Sequence, residues 1–226
     1  ILEIAKFKNV RKIIYSASSS CYGLSKNYPT KVSSHIDTQY PYAHTKYIAE
    51  LSIIHWSRVY NIDYLSFRFF NVYGPRARTN GTYGAVFGTF LAQVLNKVPL
   101  TIVGNGRQQR DFIYISDVVN LLEKSIKSQQ SNKIYNVGYG EPRSINELVK
   151  MLNYKNIEYI PKRPGEPYVT HADIVKTKKD FNWKPLISLE DGVKLMINKI
   201  DYWKDAPVWT KKKIKKATKI WFEKLS

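Results

Sequence analysis

A single cysteine, Cys21, stands among the 226 residues, so an intrachain disulfide is excluded and a reducing, cytoplasmic setting is expected. Long apolar runs are missing too. Ile13–Ala17 and Tyr64–Phe70 fall far short of the ~20 residues a membrane-crossing helix needs, so no membrane partner is expected. The N-terminus has no charged, then apolar, then small-residue leader pattern, and no internal repeat or low-complexity segment interrupts the chain. No metal site is expected. Acidic residues are scarce: 18 Asp and Glu face 36 Lys and Arg, a net charge of +18, which raises anionic ligands and nucleic acid as partners. Much of that excess is local, since Thr210–Ser226 holds seven lysines against Glu223 alone. There Ile214, Ala217, Trp221 and Leu225 recur at helical spacing, as in an amphipathic helix with its apolar stripe docked and its lysines in water. No nucleic-acid-binding signature accompanies the charge, so nucleic acid is not the expected partner.

What is present is an alternation of strands and helices. Lys12–Ser16 is a β-branched and aromatic run that opens into the polar loop Ser16–Gly23. Tyr42–Tyr60 has Ile48, Leu51, Ile54 and Val59 at helical spacing and no Gly or Pro, which predicts a helix of four or more turns. Tyr64–Phe70 follows as a strand. Gly81, Gly84 and Gly88 lead into a short helix ending near Leu95. Leu100–Val103 and Phe112–Ile115 read as a strand pair around the turn Gly104-Asn105-Gly106. Further on come a helix capped by Ser116, a strand at Lys133–Val137, a capping box at Ser144–Glu147, a strand at Ile157–Ile160, and helices starting near Asp173 and Ser188. The pattern predicts an α/β protein with a mainly parallel sheet.

Chemistry is suggested by Tyr42 and Lys46, four residues apart and therefore on one helix face. A lysine ammonium one turn from a tyrosine favours the phenolate, which suits a general base working near neutral pH. The serine loop lies between the preceding strand and this helix, where doubly wound sheets place ligands, and Ser18 supplies a hydroxyl that can bond a substrate oxygen or the phenolate.

Six motifs then occur in order: Ser18-Ser-Ser-Cys-Tyr-Gly23, Pro41-Tyr-Ala-His-Thr-Lys46, Arg68-Phe-Phe-Asn-Val-Tyr-Gly-Pro-Arg76, Arg110-Asp-Phe-Ile-Tyr-Ile-Ser-Asp117, Asn136-Val-Gly138 and Arg163-Pro-Gly-Glu166. Together, from Lys12 to about Trp203, they resemble the extended short-chain dehydrogenase/reductase family, in its nucleotide-sugar epimerase branch. The resemblance implies a partial doubly wound (Rossmann) parallel sheet with a smaller C-terminal α/β substrate-binding region. It implies NAD as cofactor, a UDP-sugar as substrate and, when the chain is full length, a homodimer. By it, Tyr42 is the base that takes the proton of the sugar 4-hydroxyl, Lys46 holds the nicotinamide ribose, and Ser18 bridges the 4-oxygen. Ser16 and Phe69 join Tyr42 and Lys46 as cofactor contacts. Ser19, Asn71, Arg78, Arg110, Arg163, Glu166 and Thr170 join Ser18 on the substrate, with the arginines on the diphosphate, Glu166 on the nucleotide ribose and Thr170 beside the hexose.

Departures narrow the reading. Dehydratases of the family carry Asp-Glu after the catalytic hydroxyl residue, whereas this chain has Ser19 and Ser20. A UDP-glucose or UDP-N-acetylglucosamine 4-epimerase is therefore the first expectation. UDP-glucuronate 4-epimerase or decarboxylase and a non-catalytic nucleotide-sugar-binding chain are the alternatives. The Gly-x-x-Gly-x-x-Gly turn that receives the NAD pyrophosphate does not occur in the sequence. The chain thus reads as the C-terminal two-thirds of such an enzyme, and by itself is expected to be marginally stable and inactive. Residues 1–75 are expected to form the C-terminal half of the NAD-binding domain. Residues 76–226 are expected to be mainly substrate-binding, with 111–138 returning to the Rossmann sheet.

Overall fold

A computed structural model of the chain describes residues 1–77, 79 and 86–225. It is an α/β fold whose elements run in chain order as α1 (Leu2–Phe7), β1 (Lys12–Ser18), α2 (Pro41–Tyr60), β2 (Asp63–Phe69), β3 (Asn71–Tyr73), α3 (Val86–Leu95), β4 (Leu100–Val103), β5 (Gln109–Arg110) and β6 (Phe112–Tyr114). Then come α4 (Ile115–Lys127), β7 (Lys133–Val137), β8 (Arg143–Ser144), α5 (Ile145–Leu152), β9 (Ile157–Ile160), α6 (Val175–Phe181), α7 (Leu189–Ile197) and α8 (Lys211–Leu225).

The central sheet has the order β1-β2-β7, all parallel, with Ser18 opposite Phe69 and Phe69 opposite Val137 at its C-terminal edge. Alternation along β2 sends its side chains to two different layers. Leu65 and Phe67 go to one face, where they meet Val118 and Leu121 of α4, Tyr135 of β7 and Phe181 of α6. There the Phe67, Tyr135 and Phe181 rings pack with centroids 4.9–5.8 Å apart. Ser66 and Arg68 point to the other face, toward α2.

That second face is polar at its centre. Glu50 of α2 is 1% exposed and Arg68 4% exposed, and Arg68 Nη2 lies 2.6 Å from Glu50 Oε1 while Nε donates to both carboxylate oxygens at 3.2 Å. Ser66 Oγ donates to Glu50 Oε2 at 2.6 Å, so the carboxylate is fully engaged. The other guanidinium nitrogen donates to Tyr22 Oη at 2.9 Å and to the Val32 carbonyl at 3.1 Å. Tyr22 in turn donates to Asn136 Oδ1 at 2.7 Å, and Asn136 Nδ2 to the Thr30 carbonyl at 2.8 Å. Burial pushes the Tyr22 phenol up to about 12, against the pull of Arg68, so it stays a neutral donor. The network fastens α2, β2, β7 and the loop after β1 to one another.

Glu50 takes an inward position together with Ala43 and Ile53, and most of the apolar stripe predicted for α2 faces out: Ile48, Leu51 and Val59 are 47%, 45% and 54% exposed, while Ile54 is half-buried.

The remaining strands form small parallel or antiparallel pairs: β3-β6, β4-β9 and β5-β8. The expected pairing of Leu100–Val103 with Phe112–Ile115 does not form. Gly104 and Gly106 do turn the chain with φ of +60° and +72°, but β4 finds its parallel partner in β9, with Leu100 opposite Ile157. Phe112–Tyr114 instead lies beside β3, drawn there by burial. Tyr73 stacks on Phe87 at 4.2 Å, and Phe112 and Tyr114 meet the Tyr73 ring edge-on. These rings belong to a second core with Phe90, Leu100, Ile102, Leu148, Val193 and Trp203. Helix starts also differ in part. The capping box at Ser144 and Glu147 and the Ser188 cap are present. Helix α4 begins at Ile115 with no side-chain cap, so Ser116 lies inside its first turn. Asp173 precedes α6 and accepts from Val175 N at 3.1 Å. Gly81 and Gly84 lie outside the described residues.

Removing one partner of a buried ion pair strands the other charge, a loss of about 3–5 kcal/mol, whereas an apolar replacement of both partners is often tolerated. Glu50→Ala is therefore expected to lower the unfolding free energy by about that amount in urea titration. Adding Arg68→Met should restore part of it; a single-variant loss under about 1 kcal/mol would show the pair to be solvent-screened.

Candidate active site

The parallel strands β1 and β2 end on one side of the sheet, where open α/β folds bind ligands. A cavity of about 850 Å³ opens there. Every site residue expected from the sequence and described by the structure lines it: Ser16, Ser18, Ser19, Tyr42, Lys46, Phe69, Asn71, Arg110, Arg163, Glu166 and Thr170. Arg78 lies outside the described residues.

One wall is built by the end of β1 and the first turns of α2. Ser18 caps a short 3₁₀ turn, Ser19–Tyr22, by accepting from Ser20 N at 3.2 Å. Ser20 Oγ also donates to Ser18 Oγ at 2.8 Å. A hydroxyl has two acceptor lone pairs and one proton, so Ser18, accepting twice, keeps its own proton to donate elsewhere. Ser20 was legible in the sequence only as a position without an acid; its role in orienting Ser18 comes from the turn.

On α2, Tyr42 and Lys46 stand one turn apart, with Pro41 starting the helix. Lys46 Nζ donates to the Ser16 carbonyl at 2.8 Å and sits 5.3 Å above the Tyr15 ring, while Tyr15 Oη donates to the Lys46 carbonyl at 3.1 Å. Strand β1 thereby fixes the ammonium with one of its three donors and leaves two for a ligand. Ser16, Phe69, Tyr42 and Lys46 suit the nicotinamide-ribose end of a dinucleotide: a positioned cation, hydroxyls and an aromatic ring at a strand edge. The Gly-x-x-Gly-x-x-Gly spacing suited to the pyrophosphate end does not occur in the sequence.

The opposite wall is organised by Asp111, which is fully buried. Its carboxylate accepts from Tyr139 N at 2.6 Å, Gly140 N at 3.1 Å and Ala172 N at 2.8 Å. Burial lifts this carboxyl above the usual range, and the three backbone N–H groups oppose that lift. Only glycine fits at 138, because a Cβ there would lie 2.8 Å from both the Asp111 carboxylate and Ala172. From this anchor, Asp111 N donates to Thr170 Oγ1 at 3.0 Å and Thr170 Oγ1 donates to Asn71 Oδ1 at 2.9 Å. The Thr170 hydroxyl is thus committed to orienting Asn71.

Arg110, next to Asp111, is held by its donation to the Gln109 carbonyl at 2.9 Å. Its Nη2 is 3.8 Å from Glu166 Oε2, and Arg163 Nη1 is 3.1 Å from Glu166 Oε1. Burial pulls the Arg110 pKa below its ordinary value, and the Glu166 charge resists this. Two guanidiniums share one carboxylate, so the cluster is net cationic, and its planar donor forks match a phosphate group. Cys21 is buried and takes no part, since burial pushes its thiol up to about 12. Among the described residues no cluster of metal-binding side chains occurs, and no helix is long and apolar enough to cross a membrane.

Residues 1–138 match the family model "NAD dependent epimerase/dehydratase family". The chain belongs to that family. It is 35% identical over 205 residues to the UDP-glucuronate 4-epimerase of Thermodesulfobacterium geofontis, covering 88% of this chain and 62% of the relative. Similar solved structures include a UDP-N-acetylglucosamine 4-epimerase of Methanobrevibacter ruminantium M1 in complex with UDP-N-acetylmuramic acid (33% identity, TM-score 0.77, 86% of this chain and 66% of that one). Another is the UDP-glucuronic acid 4-epimerase of Bacillus cereus with UDP-glucuronic acid and NAD (30%, TM-score 0.81, 90% and 65%). The chain spans 61–66% of the length of three curated relatives that it matches.

Inorganic pyrophosphate probes the cationic wall directly. Glu166→Gln removes the competing carboxylate and is expected to tighten pyrophosphate binding several-fold in calorimetry, whereas Arg163→Ala should weaken it about tenfold. Equal affinities in all three proteins would show that the cluster does not receive phosphate.

Proposed function

We propose that this chain carries the catalytic and nucleotide-sugar-binding residues of an NAD-dependent 4-epimerase that inverts C4 of a UDP-hexose through a 4-keto sugar. The carrying observation is the placement of Ser18, Tyr42 and Lys46 in the same cavity as the Arg110–Glu166–Arg163 cluster. A general base and a diphosphate clamp on facing walls hold a substrate by its phosphates and present its sugar to the base. Bound NAD would supply a hydride acceptor and donor for C4. Ser16, Phe69, Tyr42 and Lys46 would hold its nicotinamide riboside.

In the chain's own chemistry, the Tyr42 phenolate oxygen takes the proton of the sugar 4-hydroxyl on oxidation, and the phenol so formed returns it to the 4-oxygen on reduction. Lys46, pinned by Ser16, keeps a positive charge one turn from that oxygen. Ser18 donates to the 4-oxygen with the proton that its two accepted bonds leave to it. Arg110 and Arg163 bind the diphosphate, Glu166 spaces them and lies within reach of the nucleotide ribose, and Asn71 is aimed by Thr170. Ser19 and Ser20 offer no acid and base for loss of water, which supports epimerisation over dehydration. UDP-glucose or UDP-N-acetylglucosamine is the preferred substrate of this reading. UDP-glucuronate is the second, supported by the relatives of that specificity and by the basic Arg76 and Arg78 after Asn71.

The outward apolar face of α2, with Ile48 and Leu51, supports a homodimer built on this helix. Leu51→Glu is expected to shift the sedimentation coefficient from dimer to monomer; an unshifted dimer would place the interface elsewhere.

The catalytic reading is tested in a protein that joins this chain to a Gly-x-x-Gly-x-x-Gly NAD-binding segment, with a panel of UDP-glucose, UDP-N-acetylglucosamine and UDP-glucuronate in the presence of NAD. Tyr42→Phe should cut turnover at least ~10³-fold and Ser18→Ala about 10–10²-fold, with UDP affinity within twofold of the parent. Turnover that survives Tyr42→Phe would remove Tyr42 from the reaction.

A further inference from the structure

The reaction leaves the most basic part of the chain unused, and the structure sets it against the cavity. The segment entering α8 is fixed by Trp209, whose Nε1 donates to the Thr79 carbonyl at 2.8 Å. Lys211 pairs with Glu158 of β9 at 3.1 Å. Along α8, Ile214 and Thr218 are buried, and with Trp209 and Ala217 they line the cavity. The expected docked stripe is therefore present, with Thr218 rather than Ala217 turned inward; Leu225 contributes no described side-chain position. One helical turn further, Trp221 Nε1 donates to the Pro164 carbonyl at 3.0 Å, and its ring lies 5.5 Å from that of Tyr40.

Those two partners matter by position. Pro164 directly follows Arg163 in the turn that ends at Glu166, where Gly165 has a φ of +73°. Tyr40 is the residue from which α2 starts, two before Tyr42. One indole therefore joins the turn bearing the phosphate-binding arginine to the start of the helix bearing the base.

Resting on the nucleotide-sugar reading above, we propose that α8 is a wall of the nucleoside-diphosphate pocket and that Trp221 is a positioning residue for Arg163. The indole holds the Arg163–Glu166 turn at a set reach from Tyr42, so that the diphosphate and the sugar of one ligand meet their partners together. Ordering this turn in advance removes that entropic cost from binding.

The test uses UDP as probe, with calorimetry and amide hydrogen exchange on the parent chain, Trp221→Phe, Trp221→Ala and Arg163→Ala. Trp221→Phe keeps an aromatic ring beside Tyr40 and loses only the N–H donor, so it carries the test if Trp221→Ala fails to fold. Expected are a rise in Kd for UDP of about fivefold for Trp221→Phe and tenfold or more for Trp221→Ala, with faster exchange at Arg163, Gly165 and Glu166 in both. UDP should also slow exchange along α8 in the parent. Unchanged UDP affinity in both Trp221 variants, at a temperature where they are folded, overturns the inference even if their melting temperatures fall, because a merely structural role moves only the latter. UDP uptake that needs Arg163 but not Trp221 overturns this inference alone. A parent chain that takes up no UDP, or binds it equally well as Arg163→Ala, overturns the nucleotide-sugar reading and this inference with it.

Discussion

The buried pair of Glu50 and Arg68 sets the geometry on which the site depends. Tyr42, Lys46 and Glu50 follow one another at four-residue spacing, so they run down one side of α2. A carboxylate that is 1% exposed and bonded to Arg68 and Ser66 has one acceptable rotation of the helix about its axis. That rotation puts Lys46 on the Ser16 carbonyl and Tyr42 at the cavity. An apolar residue at position 50 would pack in several rotations with little difference in energy; a paired charge in a dry interior would be stranded in all but one. The same choice turns Ile48 and Leu51 outward, where they form a surface that a second copy can cover.

A second buried carboxylate does equivalent work on the far wall. Asp111 gathers N–H groups from positions 139, 140 and 172, two stretches of backbone that lie outside the regular strands. Those bonds replace the ladder that a longer sheet would supply. Arg110 beside it and Thr170 inherit their positions from this anchor, and Asn71 from Thr170. The two walls are thus held by different buried carboxyl groups, each satisfied, and the cavity lies between them.

The walls also divide the chemistry. Hydroxyls and a lysine gather at the ends of β1 and on α2, where the proposed reaction moves protons at a sugar oxygen. Guanidiniums gather around Glu166, where the same proposal seats the diphosphate. Helix α8 spans both, with Trp221 touching the turn of one and the first residue of the other.

Much of this was legible in the residues themselves. Strands β1, β2, β7 and β9, the long helix, and the caps at Ser144 and Ser188 follow from local pattern, because a run of β-branched residues or a capping serine acts on its neighbours within a turn. The members of the site were legible as motifs, since each is a short run with its own chemistry. Pairing was not. Leu100–Val103 and Phe112–Tyr114 are adjacent in sequence around a good turn, yet burial of Tyr73, Phe87 and Phe112 against one another and of β4 against β9 outweighs the nearby hairpin. Nor could spacing alone show that Ser20 orients Ser18, that Thr170 serves Asn71, or that the outward face of α2 is its apolar one. The sequence by itself determined which residues carry charge, hydroxyl or ring and which segments are helix or strand. Only the tertiary structure decided which of them share a cavity, because that depends on long-range burial and on where a buried charge finds its partner.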